Sequence, residues 1–461
     1  MMSTHEASAD NALKLWNTAT RQREVFTPLD PGNVRVYFCG PTVYDRVHLG
    51  NLRSMLCADM LGRVLRAFYP HVTFVRNITD IDDKIINRAR ENNEPIEALT
   101  ARATKAFHED LVALNIIPPD VEPHATDHIA EMLALIDRLI HNGHAYEAAG
   151  HVLFSVSAFE GYGALSGRTP EQLLAGARVE VASYKRAPGD FVLWKPSRPD
   201  EPGWESPFGR GRPGWHIECS AMAGKYLGRS FDIHGGGNDL MFPHHENERA
   251  QSLCGDGGDF ARYWVHAGML RVNGEKMSKS LGNFHTIHEA LERAPGEALR
   301  LLYLGTHYQA TLDFTWEKLA EARKTMDRFY RALDHAGAAG GADVPSDVMA
   351  ALADDLNTPL ALARLHGLAD KAMGGDREAG AGLLAAGKLM GLFSMTPQQW
   401  FKGDLEQGAD KGAERIEALV AERTAAKKAR DWQRADAIRD ALAAEGVLLE
   451  DGPQGTTWRK G

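Results

Sequence analysis

Apolar and polar positions near the start of the chain predict a strand, a helix and a second strand in close succession. Residues 34–39 form an apolar run that Gly40 and Pro41 end, and residues 72–75 form another such run. Between them, residues 49–69 place apolar side chains at helical spacing: Leu52, Met55, Leu56, Met60, Leu61, Val64, Leu65 and Phe68. A βαβ unit of this size implies a parallel sheet with a right-handed crossover. Nucleotides bind such sheets where the strand ends and the helix begins.

The pattern changes further along the chain. Residues 118–211 combine a helical segment (125–142), a strand-like run (152–156) and a Pro/Gly-rich stretch (188–213), which together indicate an insertion. The nucleotide-binding pattern resumes near Gly214 and includes residues 232–239. The chain then becomes almost wholly helical, with a Gly/Ala-rich linker at 336–342, amphipathic helices at 354–368 and 414–444, and a hairpin formed by 446–451 and 456–459.

These patterns predict an α/β Rossmann-like catalytic domain with a parallel sheet, split by an insertion. All-α helical domains and a small C-terminal α+β cap follow it. The predicted segments are 1–117 and 212–310 for the two halves of the catalytic domain, 118–211 for the insertion, 311–400 for the helical bundle and 401–461 for the C-terminal domain.

Composition narrows the class of protein. The chain has 461 residues, of which 44% are hydrophobic and 25% charged, as in ordinary globular proteins of several domains. It has no apolar run long enough for a membrane span, and its polar start, residues 1–10, does not resemble a secretory signal. Four cysteines in so long a chain do not form a disulfide framework. We therefore expect a cytoplasmic protein with free thiols and no membrane partner.

The net charge of −10 argues against nucleic-acid binding, but one window is an exception. Residues 423–439 hold six basic side chains against two acidic ones, Asp431 and Asp436, which makes the window +4. The basic residues are Arg423, Lys427, Lys428, Arg430, Arg434 and Arg439. Taken alone, the window fits a solvated helix face as well as it fits a nucleic-acid surface.

A loop at residues 275–283 suggests phosphate chemistry. It places Lys276 and Lys279 three positions apart among serine, glycine and asparagine residues. Flexible lysines act as point charges that can reach phosphate oxygens, so the loop suits stabilisation of a leaving pyrophosphate. Alone, a pair of lysines is more often a solvated basic turn.

A second element lies at the start of the predicted helix. His48 and Asn51 are three positions apart and share one face of the first turn, where both side chains can donate to triphosphate oxygens. Gly50 allows close approach of the nucleotide to the backbone. The simpler interpretation is that His48 only caps the helix.

Scarce ligands indicate a metal site. Cys39 ends the first strand, Cys219 follows residues 214–218, and His244 and Glu248 lie four apart on a helix that Pro243 begins. Two thiolates, an imidazole and a carboxylate suit zinc. The alternative is that cysteines are buried small apolar residues, which fits Cys57 and Cys254 because each lies in an apolar helical run.

These elements resemble known sequence motifs. Residues 40–51 and 275–283 resemble the "HIGH" and "KMSKS" motifs of class I aminoacyl-tRNA synthetases, although the last histidine of the first motif is Asn51 here. Over essentially its full length the chain resembles the cysteinyl-tRNA synthetases. The matching segments are 37–51, 77–84, 215–220, 231–248 and 276–280.

The resemblance implies roles for particular residues. Cys39, Cys219, His244 and Glu248 would bind one zinc ion, and the thiolate of the substrate cysteine would bind the same zinc. Thr79 and Trp215, beside Cys39, would border the cysteine pocket. The ATP site, with Mg²⁺ accompanying ATP, would comprise Pro41, Thr42, His48, Gly50, Asn51, Asp239, Lys276 and Lys279. The distal Trp458 and the basic window would contact tRNA(Cys).

The implied reaction is the ATP-dependent formation of cysteinyl-adenylate, followed by transfer of cysteine to the 3′ end of the tRNA. His48, Asn51, Lys276 and Lys279 would stabilise charge during phosphoryl transfer. Cysteine and serine differ by one atom, and a small difference in size yields only about 1–3 kcal/mol of discrimination. Zinc prefers thiolate, which would make an editing domain unnecessary. Four protein ligands usually close a zinc site, so a substrate sulfur needs a fifth position or release of the weakest ligand, Glu248.

Three alternatives remain at this stage. A mycothiol-type ligase would use the same adenylate but join cysteine to an amino sugar, and it would not need the distal basic window. A zinc hydrolase would need a second histidine where Arg249 stands. A non-enzymatic tRNA-binding module would not need both ATP motifs. Nothing in the sequence demands a dimer, and we expect a monomer.

Overall fold

The computed structural model describes residues 12–168, 182–402, 411–452 and 455–460. The chain divides into two compact units. The first extends to Ala322 and includes Ser346–Arg364, and the second comprises Arg323–Pro345 and the chain from Leu365 onward. The polar start, residues 1–10, lies outside the described residues.

The secondary structure alternates strands and helices up to residue 314 and is mainly helical afterwards. The helices are α1 Leu49–Phe68, α2 Asp83–Asn92, α3 Ile96–Ala113, α4 Ile129–His141, α5 Trp215–Leu227, α6 Glu246–Asp256, α7 Ile287–Leu291, α8 Gly296–Leu304, α9 Trp316–Ala336, α10 Ser346–Ala353, α11 Thr358–Met373, α12 Arg377–Leu389, α13 Pro397–Lys402, α14 Lys411–Lys428 and α15 Trp432–Ala444. The strands are β1 Lys14–Asn17, β2 Gln22–Val25, β3 Val34–Phe38, β4 Val72–Arg76, β5 Ala145–Ala148, β6 His151–Phe154, β7 Phe191–Pro196, β8 Gly211–Pro213, β9 Ser230–Gly237, β10 Phe260–Ala267, β11 Leu270–Val272, β12 Glu275–Lys276, β13 Leu312–Phe314, β14 Val447–Gly452 and β15 Gly455–Lys460.

A four-stranded parallel sheet forms the centre of the first unit. Its order is β10-β9-β3-β4, so β3 pairs with β4 on one side and with β9 on the other. The predicted strand, helix and strand are confirmed to within one or two residues as β3, α1 and β4. Most of their apolar side chains are buried, which is the physical reason that the periodicity was informative.

The sheet order determines where the site lies. Strand β3 comes from the first half of the catalytic domain and β9 from the second, yet they are hydrogen-bonded neighbours. Cys39 therefore follows one strand end, and Asn238 and Asp239 follow the adjacent one. Open parallel sheets bind ligands at such a point, outside the carboxyl ends of the strands.

The chain between β4 and β9 contains a separate antiparallel sheet of order β5-β6-β7-β8. Strands β7 and β8 fall inside the Pro/Gly-rich stretch 188–213, which the sequence pattern did not resolve into elements. They form because Trp194 pairs with Val152 on one side and with Pro213 on the other. Such long-range pairing leaves little local signal.

The helix predicted at 354–368 begins later, at Thr358, and continues to Met373. Asp355 and Leu356 have left-handed backbone conformations, with φ of 58° and 52°. The Asp355 carboxylate accepts hydrogen bonds from the Trp16 backbone N–H (2.8 Å) and the Tyr308 hydroxyl (2.7 Å). These tertiary contacts hold the preceding turn outside the helix.

The single helix predicted at 414–444 is wrong, because two helices, α14 and α15, occupy this segment. Arg430 has a left-handed conformation (φ 60°) and ends the first helix, and Asp431 caps the second by accepting from the Arg434 N–H. The reversal brings the apolar faces of the two helices together in a small core with the β14–β15 hairpin: Ile416, Val420, Ile438, Leu442, Val447 and Trp458.

Among the helices that the structure describes, none combines the length and the apolar character needed to cross a membrane.

Candidate active site with a metal-binding cluster

A cleft of about 370 Å³ opens at the carboxyl ends of β3 and β9. Most residues predicted for the ATP and cysteine sites line it: Cys39, Pro41, Thr42, His48, Gly50, Asn51, Trp215, Asp239 and Lys276. Thr79 is buried and is not among the lining residues. A larger cavity of about 880 Å³ lies against α3 and contains none of the predicted site residues.

The loop between β3 and α1 brings the start of the helix to the cleft. His48 occupies the N-cap position of α1, but its side chain makes no capping hydrogen bond. Its ring packs edge-on against Phe284, with centroids 5.1 Å apart. A side chain at Gly50 would meet His48 Nδ1 at 2.9 Å and Met277 Cε at 3.2 Å, so glycine permits this close approach.

The lysine loop returns to the same place. Asn283 organises it, because its side chain accepts from the Ser278 N–H (2.8 Å) and donates to the Lys276 carbonyl (3.2 Å). The Leu49 N–H donates to the His285 carbonyl at 3.0 Å, which joins the loop to the start of α1. Lys276 is exposed and lines the cleft. The backbone of Lys279 lies in a short 3₁₀ turn, and its side chain is outside the described part of the chain.

The four predicted metal ligands meet at one edge of the cleft. Their ligand atoms all lie within 4.8 Å of one another. Cys39 Sγ is 3.7 Å from Cys219 Sγ and 3.4 Å from Glu248 Oε1, and His244 Nε2 is 3.0 Å from the same Glu248 oxygen. Three of the four are buried, whereas Cys39 is partly accessible and lines the cleft. Two sulfurs with nitrogen and oxygen form a donor set that fits zinc.

Sequence reasoning missed two further histidines beside this cluster. His234 Nε2 lies 2.7 Å from Glu248 Oε2, and His245 Nε2 lies 3.4 Å from Cys39 Sγ. With Cys39 and Glu248 they form a second set of four whose ligand atoms also lie within 4.8 Å. Only the strand register could have indicated His234 as a neighbour of the cluster, because His234 pairs with Tyr37, just before Cys39.

Burial sets the protonation of the cluster. It raises the pKa of the Cys39 thiol well above its ordinary value and lowers the pKa of His244 to about 3. For Cys219 the hydrogen bond with Cys39 lowers the pKa while burial raises it, and the net shift is upward. Burial raises the pKa of Glu248, but the nearby His234 and His244 lower it by a larger amount, so the net shift is downward. Without metal the four ligands are therefore two protonated thiols, the neutral imidazole of His244 and a carboxylate.

Two family models match separate stretches of the chain. Residues 25–324 match the family described as tRNA synthetases class I (C) catalytic domain, and residues 410–459 match the cysteinyl-tRNA ligase anticodon binding domain. The chain is 66% identical to the cysteine–tRNA ligase of Gluconobacter oxydans, over 98% of this chain and 99% of the relative. It is 62% identical to that of Acidiphilium cryptum, over 97% and 99%. This chain belongs to the cysteine–tRNA ligase family.

It is therefore an enzyme of the class I tRNA synthetases, and the resemblance indicated by the motifs is confirmed. A solved structure of Mycobacterium tuberculosis methionyl-tRNA synthetase with methionyl-adenylate matches 78% of this chain and 82% of that one, with a TM-score of 0.52 and 19% identity. That likeness concerns the fold alone, and the predicted fold class is confirmed.

In this member of the cysteine–tRNA ligase family, two residues predicted to contact RNA are interior. Arg423 is 7% exposed and donates to Asp451 at 2.9 Å, and Trp458 is 3% exposed in the small core of the C-terminal segment. Both side chains stabilise the packing of α14, α15 and the hairpin. Their burial leaves little of either side chain exposed for direct contact with RNA.

The other basic residues of the window differ in their partners. Lys427 pairs with Asp451 (2.8 Å), Arg434 with Glu422 (2.6 Å), and Arg439 with Asp436 and Asp440 (both 2.9 Å). Lys428 and Arg430 are exposed, and neither has an ion pair among the described residues. The excess positive charge that faces solvent is thus concentrated at the turn between α14 and α15.

Metal affinity in this family member will rise with pH. Because the Cys39 and Cys219 thiols are protonated without metal, binding must displace both protons, and affinity will increase by up to about 100-fold per pH unit below the thiol pKa values. His244, with a pKa of about 3, releases no proton in this range. Competition with a chromophoric chelator between about pH 6 and 8 measures the slope. A slope of zero, after correction for the chelator, would contradict the protonated thiols.

Proposed function

We propose that the chain is a cysteine–tRNA ligase that uses ATP to attach L-cysteine to the 3′ end of tRNA(Cys). One observation carries the proposal: a cluster with two thiols, Cys39 and Cys219, meets a cleft lined by His48, Asn51 and Lys276. A thiol-selective donor set beside a nucleotide-binding helix start is what activation of cysteine by ATP requires.

Cys39, Cys219, His244 and Glu248 would hold one zinc ion. When bound, zinc selects a thiolate over a hydroxyl group. The second set, with His234 and His245, has only one sulfur, and we assign these histidines to orienting Glu248 and Cys39. Trp215 supports the same site, because its ring stacks on His244 with centroids 4.3 Å apart.

In the first step the carboxylate of cysteine attacks the α-phosphate of ATP, and the bond to pyrophosphate breaks. His48 and Asn51 stabilise the transition state at the N-terminus of α1, and Lys276 and Lys279 neutralise the leaving pyrophosphate. Pro41, Thr42, Gly50 and Asp239 shape the ATP site, and Mg²⁺ accompanies ATP as part of the substrate. In the second step a ribose hydroxyl of the terminal adenosine attacks the acyl group, and AMP leaves.

Cysteine-dependent exchange of pyrophosphate into ATP, followed by charging of tRNA with labelled cysteine, tests the proposal. Exchange and charging support it. Absence of exchange in zinc-loaded protein would refute it. Exchange without charging would favour transfer to an amino sugar. The match of residues 410–459 to an anticodon binding domain argues against that outcome.

We further propose that the turn between α14 and α15 contributes phosphate contacts, so tRNA binding will weaken as salt rises. Lys428→Gln and Arg430→Gln will each lower the slope of log Kd against log salt by about one, because each removes one exposed cation. Fluorescence anisotropy with labelled tRNA measures the slope. Arg439→Gln is the matched control, since Asp436 and Asp440 already hold that guanidinium. Equal slopes in all three variants and the parent would contradict the assignment.

We propose that residues 1–117 and 212–310 form the two halves of the catalytic domain and that residues 118–211 form the insertion. Residues 311–400 would form the helical bundle, and residues 401–461 the anticodon-binding part. We also propose that the enzyme acts as a monomer in the cytoplasm, which light scattering of the purified chain can check for oligomeric state.

A further inference from the structure

A buried carboxyl group lies next to the predicted cysteine pocket and has no role in the mechanism above. Glu218 is 1% exposed and immediately precedes Cys219 on α5. It makes no ion pair within the described parts of the chain. The hydroxyl of Thr79 donates a hydrogen bond to it, from Oγ1 to Glu218 Oε2 at 2.8 Å. A buried carboxyl group without a cation costs stability, so its presence here calls for a functional reason.

The Thr79 hydroxyl has a second partner that fixes its orientation. Asn77 Oδ1 accepts from the Gly40 N–H at 2.9 Å, which determines the orientation of the amide and directs its Nδ2 to Thr79 Oγ1 at 3.2 Å. The hydroxyl proton is committed to Glu218, and one lone pair is committed to Asn77. One lone pair of the hydroxyl oxygen remains for an external donor.

The backbone of Thr79 is equally fixed. Its N–H donates to the Pro41 carbonyl and its carbonyl accepts from the Val43 N–H, both at 3.1 Å. Thr79 is therefore attached to the segment that lines the ATP cleft. Asn77 Oδ1 also lies 3.6 Å from Cys219 Sγ, so one amide side chain separates the Thr79 hydroxyl from a predicted metal ligand. The Thr79 hydroxyl is therefore close to the place where the sulfur of a zinc-bound cysteine would lie.

We propose that Glu218 is a positioning residue for substrate recognition: it holds the Thr79 hydroxyl so that its oxygen accepts a hydrogen bond from the α-ammonium group of cysteine. Without Glu218 the hydroxyl can rotate and present its proton to the ammonium group, which repels it. The Glu218–Thr79 pair thus distinguishes an amino thiol from a thiol acid that lacks the amine. This inference rests on the proposed function, since it assumes that cysteine is the substrate.

Four variants test the inference. Glu218→Met has a similar shape but no acceptor, and Glu218→Ala is the second truncation should methionine prevent folding. Glu218→Gln keeps an acceptor oxygen and is the conservative control. Thr79→Val removes the hydroxyl itself.

In pyrophosphate exchange, Glu218→Met and Thr79→Val will raise the KM for cysteine by about 10- to 100-fold, the effect of losing a hydrogen bond to a charged group. Glu218→Gln will stay within about fivefold of the parent, because the acceptor is retained. Zinc content, the KM for ATP and kcat will change little. The double variant Glu218→Met/Thr79→Val will lose no more than either single variant, since the two residues act as one unit.

Inhibition by 3-mercaptopropionate separates positioning from a general structural effect. This thiol acid has no ammonium group, so its inhibition constant will be the same in all variants. The inference would be overturned if the variants lost cysteine binding and 3-mercaptopropionate binding equally. It would also be overturned by an unchanged KM for cysteine in Glu218→Met, Glu218→Ala and Thr79→Val. If the parent shows no cysteine-dependent exchange at all, the proposed function fails instead.

Discussion

Replacing Cys219 by serine will remove the bound metal and raise the KM for cysteine by at least about 100-fold, since ligands and their supports dominate metal affinity. Cys219 is 2% exposed and lies 3.7 Å from the Cys39 sulfur. Serine nearly matches its size and can still reach the Asn77 oxygen, 3.6 Å away, so the fold should persist. The hydroxyl group is a far weaker zinc ligand than a thiolate, and this difference is the reason for the loss.

Selectivity will change in the same variant. Without a thiol-selective metal, discrimination of cysteine from serine falls to the size difference, about 10- to 200-fold. Elemental analysis gives the zinc content, and pyrophosphate exchange with each amino acid gives the selectivity. Cys254→Ser is the matched control, because Cys254 is also buried but lies outside the cluster. Retention of one zinc per chain with the parental KM for cysteine in Cys219→Ser would contradict the proposed ligand set.

Replacing His48 by alanine will lower the rate of adenylate formation by about 10²- to 10³-fold, the usual effect of removing one donor to a developing charge. The KM for cysteine will change little, because the metal cluster is intact. His48 lies at the start of α1 and lines the cleft, where the helix N-terminus favours bound phosphate groups. Single-turnover measurements of adenylate formation separate this rate from substrate binding.

Two controls accompany this variant. His141→Ala removes an exposed histidine at the end of α4 and will leave the rate unchanged. His48→Asn keeps a donor and will fall between the parent and His48→Ala. If His48→Ala forms adenylate within about threefold of the parent rate, His48 has no part in stabilising the transition state.

Chemistry that depends on scarce residue types was predictable from the sequence. Two of the four cysteines, one histidine and one glutamate were selected as metal ligands, and the structure brings all four together. Their assignment to zinc stays a prediction. Histidines and glutamates without a distinctive local pattern were not predictable. His234 acquires its neighbours through strand register, and Glu218 acquires Thr79 through the packing of α5 against the segment that follows β4.

The distal basic window shows the same division. The net charge of the window could be counted from the sequence, but the exposure of its side chains could not be predicted. Arg423 points to Asp451 and is buried, whereas Lys428 and Arg430 remain in solvent. The difference arises because α14 and α15 reverse direction at Arg430, which no periodicity in the residues 414–444 indicated.

Local patterns along the chain were enough to predict the βαβ unit, the family and the residue types of the site, because apolar periodicity and motif chemistry are local properties. Tertiary structure alone decided that β3 and β9 are neighbours, which places Cys39 beside the second half of the domain. It also decided which polar groups are buried together, including the chain from Glu218 through Thr79 to Asn77. The physical reason is that hydrogen bonds and burial between distant segments depend on strand order and helix packing, and neither is encoded in the spacing of residues along the chain.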